Sequence, residues 1–216
     1  MFISKERPLV VPQSEHQRLA GILAKHWGNE TFSLPPINRD SFVLGVATHD
    51  RAFGQLDTAA LGQISEEDRV VQVDEWLNTP YTDPEAELVV LLHVRRLMDT
   101  LERQTLYQKL DTRIQAIATD NNLDLALYEQ ADTITDFCDL IAFDFSFESD
   151  TSRTVSVYQD QETKTDITYN LSQGKVTLDK WPFNVSKIEG YILGYQQDGY
   201  PENLQPVVLD FEITQG

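Results

Sequence analysis

The spacing of apolar residues changes near residue 143, and this change restricts the fold more than any other feature of the sequence. Before it, apolar residues recur at the three- and four-residue spacing of amphipathic helices. After it, short segments rich in β-branched and aromatic residues alternate with turn sequences. We therefore predict an α+β protein with a helical body over residues 1–142 and a β-rich region over residues 143–216. No obvious linker separates the two, so the sheet should pack on the helices in one compact unit.

Two helices are predicted within residues 1–50, and each presents a histidine to an apolar face. Ser14 is suited to cap the first helix, and His16 lies on its apolar stripe. Asn38 can cap the second helix, and His49 and Asp50 follow its apolar run FVLGVAT. Both functional side chains can therefore point toward the interior at the end of that helix.

Further helices are predicted beyond residue 83. Pro84 suits the first position of a helix, and His93 lies on the apolar side of that helix. Because the helical pattern runs on for more than about 25 residues, we expect a break near Thr105–Gln108. A last helix over about residues 123–141 carries three carboxylates at helical spacings, which are Asp132, Asp136 and Asp139.

The β region is predicted to begin with the segment FDFSF at Phe143, where aromatic and polar residues alternate. The segments DITYNL and KVTLD are separated by Ser172, Gln173 and Gly174. This spacing predicts a hairpin in which Gly174 has a positive φ.

The distribution of histidine indicates a candidate metal site. All four histidines precede residue 94, and His16, His49 and His93 lie on or beside apolar faces of three different helices. Neutral imidazoles and carboxylates from converging helices suit a divalent transition metal such as Mn, Fe, Co, Ni or Zn. Taken singly, each histidine is more often a hydrogen-bonded core residue, so the pattern alone supports both interpretations.

Two segments carry a resemblance to a known superfamily: HQRLAGILAKHW, which begins at His16, and VLGVATHD, which ends at Asp50. They are similar to the first-histidine helix and the His-Asp helix of the HD superfamily of metal-dependent phosphohydrolases. More narrowly, QSEHQRLAGILAKHWGN, THD with Asp57 seven residues beyond Asp50, LIAFDF and WPF…EGY…DGYPE resemble a bacterial family named domain of unknown function 3891. This second resemblance covers essentially the whole chain.

The HD resemblance implies a set of site residues. It implies that His16, His49, Asp50 and Asp139 bind the metal, with Asp132 and Asp136 as competitors for the last position. It implies that His93 faces a second metal or the substrate phosphate, and that Asp50 orients the nucleophile. Phosphate charge could be neutralised by Arg51, Lys25, Arg95 or Arg96, of which Arg51 is chosen for its nearness in sequence to Asp50. Arg51 stands where the narrower family is expected to have an acidic residue, which argues against a second metal.

The resemblance also implies an overall fold and activity. The fold would be an HD-domain-like α-helical bundle with a C-terminal antiparallel β region packed on it. The activity would be hydrolysis of a phosphate ester or anhydride. The alternative is a non-catalytic ligand-binding or protein-interaction protein that retains an HD-like fold, because a fold by itself does not determine function.

Charge and composition restrict the partners. The chain has 35 Asp and Glu against 17 Lys and Arg, a formal net charge of -18, which repels phosphate backbones and anionic membranes. A small phosphorylated molecule in a locally basic pocket is compatible with this charge. The N-terminus lacks the apolar core of a signal peptide, and no apolar run approaches the roughly 20 residues of a membrane span. We therefore expect a soluble cytoplasmic protein.

Overall fold

The computed structural model describes residues 1–61, 63, 65–79, 81–160 and 163–216. Its helices are α1 (Gln13–His26), α2 (Arg39–Val46), α3 (Glu66–Trp76), α4 (Pro84–Thr100), α5 (Gln104–Asp120) and α6 (Leu125–Ser146), with a 3₁₀ helix over Arg51–Thr58. Its strands are β1 (Phe2–Ile3), β2 (Leu9–Val11), β3 (Thr151–Tyr158), β4 (Lys164–Ser172), β5 (Lys175–Leu178), β6 (Lys187–Gln196) and β7 (Pro206–Gln215). The chain therefore has the α+β structure that the sequence predicts.

The described strands form one curled sheet in the order β1-β2-β6-β7-β5-β4-β3. The hairpin between β4 and β5 is confirmed, and Gly174 at its turn has a φ of +76°. The sheet differs from the predicted C-terminal antiparallel region in two respects. The pair β5–β7 is parallel, and β1 and β2 from the N-terminus extend the sheet beyond β6. Pro8 and Pro12 flank β2 and keep this segment extended, so that it can pair as a strand.

Helix starts depend on local hydrogen bonds, and the sequence predicts most of them. The side chain of Asn38 accepts hydrogen bonds from two backbone N–H groups in the first turn of α2, at 3.0 and 3.2 Å. Pro84 is the first residue of α4, as expected. The predicted cap at Ser14 is wrong, because α1 begins at Gln13 and the carbonyl of Pro12 already accepts the first helical hydrogen bonds.

The long helical pattern breaks between Thr100 and Gln104, slightly earlier than the predicted Thr105–Gln108. Glu102 has a φ of +56°, a conformation that an α-helix does not contain. The chain reverses there, and α4 and α5 pack against each other.

The segment FDFSF is helical, so the prediction of a strand at Phe143 is wrong. Its aromatic residues pack at helical rather than alternating spacing. Phe143 and Phe147 are one turn apart, with ring centroids 4.8 Å from each other and both within 5.7 Å of the Phe2 ring. Phe145 points elsewhere and packs on Phe211 of β7. Helix α6 therefore continues to Ser146, and the first C-terminal strand begins at Thr151.

The helices and the sheet share one apolar core. Trp27, at the end of α1, is fully buried, with ring centroids 5.7 Å from Phe137 of α6 and 6.1 Å from Phe183. Phe183 lies between β5 and β6 and forms an isolated backbone bridge with Trp27. This contact joins the predicted helical body to the β region. None of the helices in the described ranges is long and apolar enough to cross a membrane.

Candidate metal centre

Five buried polar side chains meet where three helices and one turn converge. His16 comes from α1, His49 and Asp50 from the turn after α2, His93 from α4 and Asp139 from α6. All five were predicted as site residues from the sequence, and the structure brings them together.

The turn after α2 orients His49. The helix ends at Val46, and the Nδ1 atom of His49 donates a hydrogen bond to the Val46 carbonyl at 2.6 Å. This bond places the proton of a neutral imidazole on Nδ1, so the Nε2 lone pair faces the cluster. Helix α1 can approach this turn closely because Gly21 has no side chain; a Cβ there would lie 2.6 Å from the Cβ of Ala47.

Three potential ligand atoms lie unusually close to one another. The distance between Nε2 of His16 and Nε2 of His49 is 3.0 Å, and Oδ1 of Asp139 lies 2.9 Å from the first and 3.2 Å from the second. Ligands about 2.1 Å from one ion and at right angles to each other are about 3.0 Å apart. These three atoms therefore fit a divalent metal. Oδ2 of Asp50 is 3.6 Å from Nε2 of His16, slightly farther than these three atoms are from one another.

His93 is held as a hydrogen-bond donor to Asp50. Its Nε2 lies 3.0 Å from Oδ1 of Asp50, and its Nδ1 lies 3.2 Å from Nη2 of Arg96. Because a guanidinium only donates hydrogen bonds, Nδ1 of His93 must accept and Nε2 must carry the proton. Nε2 of His93 is one of a second group of close ligand atoms with His49 and Asp50, but in this tautomer it offers no lone pair to a metal.

Burial and neighbouring charges have opposite effects on the pKa values of His49, Asp50 and Asp139. For His49, burial alone would lower the pKa, but the carboxylates of Asp50 and Asp139 outweigh it and raise the pKa to about 9. For Asp50, burial alone would raise the pKa, but the charge of His49 and contacts with His93 lower it to about 2. The pKa of Asp139 is likewise held well below its usual range by His49 and His16, against the effect of burial.

The pKa of His93 shifts in the opposite direction to that of His49. Burial and the neighbouring charge of His49 both lower the pKa of His93. A neutral His93 is the form that accepts from Arg96 and donates to Asp50. The carboxylates Asp132 and Asp136, which were alternatives to Asp139 as ligands, bind Arg96 instead.

A cavity of about 460 Å³ adjoins the cluster. Asp50, His93 and Asp139 line it on one side. Its other lining residues are mostly apolar, with a few polar or charged ones among them: Phe2, Gln13, Phe53, Arg69, Val70, Leu97, Met98, Thr100, Leu101, Arg103 and Phe143. The cluster therefore adjoins a space that a small molecule can occupy.

Arg51 lies outside the lining of this cavity. Its guanidinium is 4.4 Å from the ring centroid of Tyr81, where it makes a cation–π contact. The cations that line the cavity are Arg69 and Arg103, which sequence reasoning missed. Arg69 lies within a helix of mixed charge, and no motif distinguishes it from other surface arginines. His26, the fourth histidine, lies 3.3 Å from Asn184 and takes no part in the cluster.

Comparison with known proteins gives one match. The family model described as "Protein of unknown function (DUF3891)" matches residues 3–196. The search of curated proteins and the search of solved structures each found no match.

Proposed function

The chain belongs to the DUF3891 family, whose function is unknown, and we propose from the geometry of its site that it is a metal-dependent phosphohydrolase. His16, His49, Asp50 and Asp139 would bind one divalent transition metal. The observation that carries this proposal is the mutual proximity of three ligand atoms from α1, α6 and the turn after α2, all within 3.2 Å of one another.

Either a proton or a metal must lie between His49 and Asp139, and we propose the metal. With its proton on Nδ1, a neutral His49 directs a lone pair at Oδ1 of Asp139, which is itself only an acceptor. Two acceptors that face each other in a buried site need a cation between them. Without a metal the carboxylates of Asp50 and Asp139 raise the pKa of His49 to about 9, so a proton on Nε2 takes this position, and a bound metal would displace that proton. Imidazole and carboxylate ligands suit Mn, Fe, Co, Ni and Zn.

The proposed chemistry depends on the bound metal and on the residues around it. A divalent metal in this site would polarise a phosphoryl oxygen and lower the pKa of a water molecule toward 7. Asp50 stays ionised because its pKa is near 2, so it can accept a hydrogen bond from the attacking water and orient it. The Nε2–H group of His93 fixes the other oxygen of Asp50. The reaction class is hydrolysis of a phosphate ester or anhydride: the water oxygen forms a bond to phosphorus, the P–O bond to the alcohol or phosphate leaving group breaks, and a proton from the water passes to the leaving oxygen.

The test is metal-dependent hydrolysis of a generic aryl phosphate. Protein stripped with a chelator and reloaded with Mn, Co or Ni should hydrolyse the ester. A double variant His49→Ala and Asp50→Ala should lose more than the roughly 100-fold that outer-shell substitutions cost in metalloenzymes. His26→Ala is the matched control and should retain activity, because His26 is outside the cluster. Activity that survives the double substitution would show that another site is the catalyst, and no activity with any metal would favour a non-catalytic ligand-binding protein.

A further inference from the structure

Much of the wall of the cavity is apolar. Phe53 of the 3₁₀ helix, Leu97 and Met98 of α4 and Phe143 of α6 contribute side chains to it. A volume of about 460 Å³ is far larger than a phosphate ion needs. The organic part of a ligand would therefore lie against these apolar side chains.

Gln13 adds an unpartnered acceptor to the same cavity. The residue is 3% exposed, and its backbone N–H donates to Oδ1 of Asp57 at 3.0 Å. Its side-chain Oε1 is buried and has no hydrogen-bond partner among the described residues. Because a buried acceptor without a partner is costly, a ligand hydroxyl that reached Oε1 of Gln13 would remove that cost.

Arg69 adds a positive charge that has no ion-pair partner among the described residues. Arg103, the other arginine that lines the cavity, lies 4.0 Å from Glu67, and Arg95 and Arg96 outside the lining each form ion pairs with two carboxylates. Arg69 is half-buried and lines the cavity, and no carboxylate lies within 4.0 Å of it in the part of the chain that the structure describes. This charge favours an anionic ligand in an otherwise acidic protein.

From these three observations we propose that the cavity selects phosphomonoesters of an apolar alcohol, aryl or short branched alkyl, that also carry a hydroxyl group as hydrogen-bond donor. This inference rests on the proposed function. The apolar body packs against Phe53, Leu97, Met98 and Phe143, the hydroxyl donates to Gln13, and Arg69 attracts the phosphate. A sugar phosphate fits poorly, because its several hydroxyls would lose water against apolar side chains.

The test measures binding of phosphonates, which the proposed reaction does not cleave. Titration calorimetry compares benzylphosphonate with methylphosphonate, using the whole protein with cobalt and without added metal. Both probes carry the same phosphonate group, so the ratio of their dissociation constants reports on the apolar wall whether or not a metal is bound. We expect benzylphosphonate to bind at least tenfold more tightly. Equal affinities would overturn the inference while leaving the metal centre and hydrolysis to be judged separately.

Two variants test the polar contacts. Arg69→Gln should weaken benzylphosphonate binding at least fivefold, while Arg95→Gln should leave it unchanged, because Arg95 binds Asp111 and Glu129 and does not line the cavity. The α-hydroxy derivative of benzylphosphonate should bind more tightly than benzylphosphonate itself, and this advantage should disappear in Gln13→Leu. An unchanged affinity in Arg69→Gln, or a hydroxyl advantage that persists in Gln13→Leu, would contradict the assignment of that residue.

Discussion

His93 shows how one hydrogen bond can decide what a histidine does. It lies as close to Asp50 as His16 and His49 lie to their neighbours, and the HD resemblance implies that it can face a second metal. Arg96 removes that role, because a permanent donor at Nδ1 leaves the proton on Nε2. His93 therefore positions Asp50, and we expect a centre with one metal.

Replacement of Arg96 should release this constraint. In Arg96→Gln, His93 can take either tautomer, and Asp50 loses its fixed donor for part of the time. We expect affinity for cobalt to fall about 10- to 100-fold, the range for outer-shell substitutions. Nitrogen NMR of the histidine rings should show an Nε2–H tautomer for His93 in the wild type and a mixture in the variant.

Arg95→Gln is the matched control, since Arg95 lies on the same helix and also binds two carboxylates, Asp111 and Glu129. It should leave the tautomer of His93 and the metal affinity unchanged. A wild-type His93 that carries its proton on Nδ1 would show that Arg96 does not control it.

At the scale of elements, the site depends on how closely α1 approaches the turn after α2. Gly21 on α1 contacts Ala47, two residues before His49, and a Cβ there would be 2.6 Å from the Ala47 side chain. We predict that Gly21→Ala destabilises the protein by about 1–3 kcal/mol, the usual cost of overpacking, and also weakens metal binding. Urea unfolding and cobalt titration measure the two effects.

Gly54→Ala provides the comparison, because a Cβ at Gly54 meets nothing within 4 Å. It should change neither stability nor metal affinity by a comparable amount. If Gly21→Ala behaves like Gly54→Ala, the two elements can separate without cost and the close approach does not position His49.

Elements are predictable from the sequence where their signals are local. Asn38 and Pro84 start α2 and α4 through contacts within a few residues, and the sequence specifies both. The segment FDFSF is misassigned because its alternation is typical of a strand, whereas Phe143 packs on Phe2 from the other end of the chain. Long-range contacts of this kind override local propensity, and no single-sequence pattern contains them.

The residues of the candidate site also differ in whether a local sequence signal identifies them. His16, His49, Asp50, His93 and Asp139 could be proposed together, because each lies on an apolar helix face or matches a motif, and the structure places them together. Arg51 could be chosen only by its nearness in sequence, and it stacks on Tyr81 instead. Gln13 and Arg69 line the cavity because of how α1 and α3 pack, which the sequence does not express locally.

For the whole molecule, the helices and the sheet share one hydrophobic core. Strands β1 and β2 join the sheet formed mainly by the C-terminal strands, and Trp27 joins α1 to Phe183. Helices α1, α4 and α6 pack within this core, and each contributes one residue of the candidate site. A metal that binds ligands from these separate elements should stabilise the folded state as a whole.

Metal content tests the central claim most directly. Elemental analysis of protein purified without chelator and without a histidine tag, and reconstituted with cobalt or nickel, should show about one metal ion per chain. Asp139→Asn should lose the metal, whereas Asp132→Asn and Asp136→Asn, whose carboxylates bind Arg96, should keep it. A wild-type chain that holds no metal after reconstitution would contradict the account, as would an Asp139→Asn variant that retains a full equivalent.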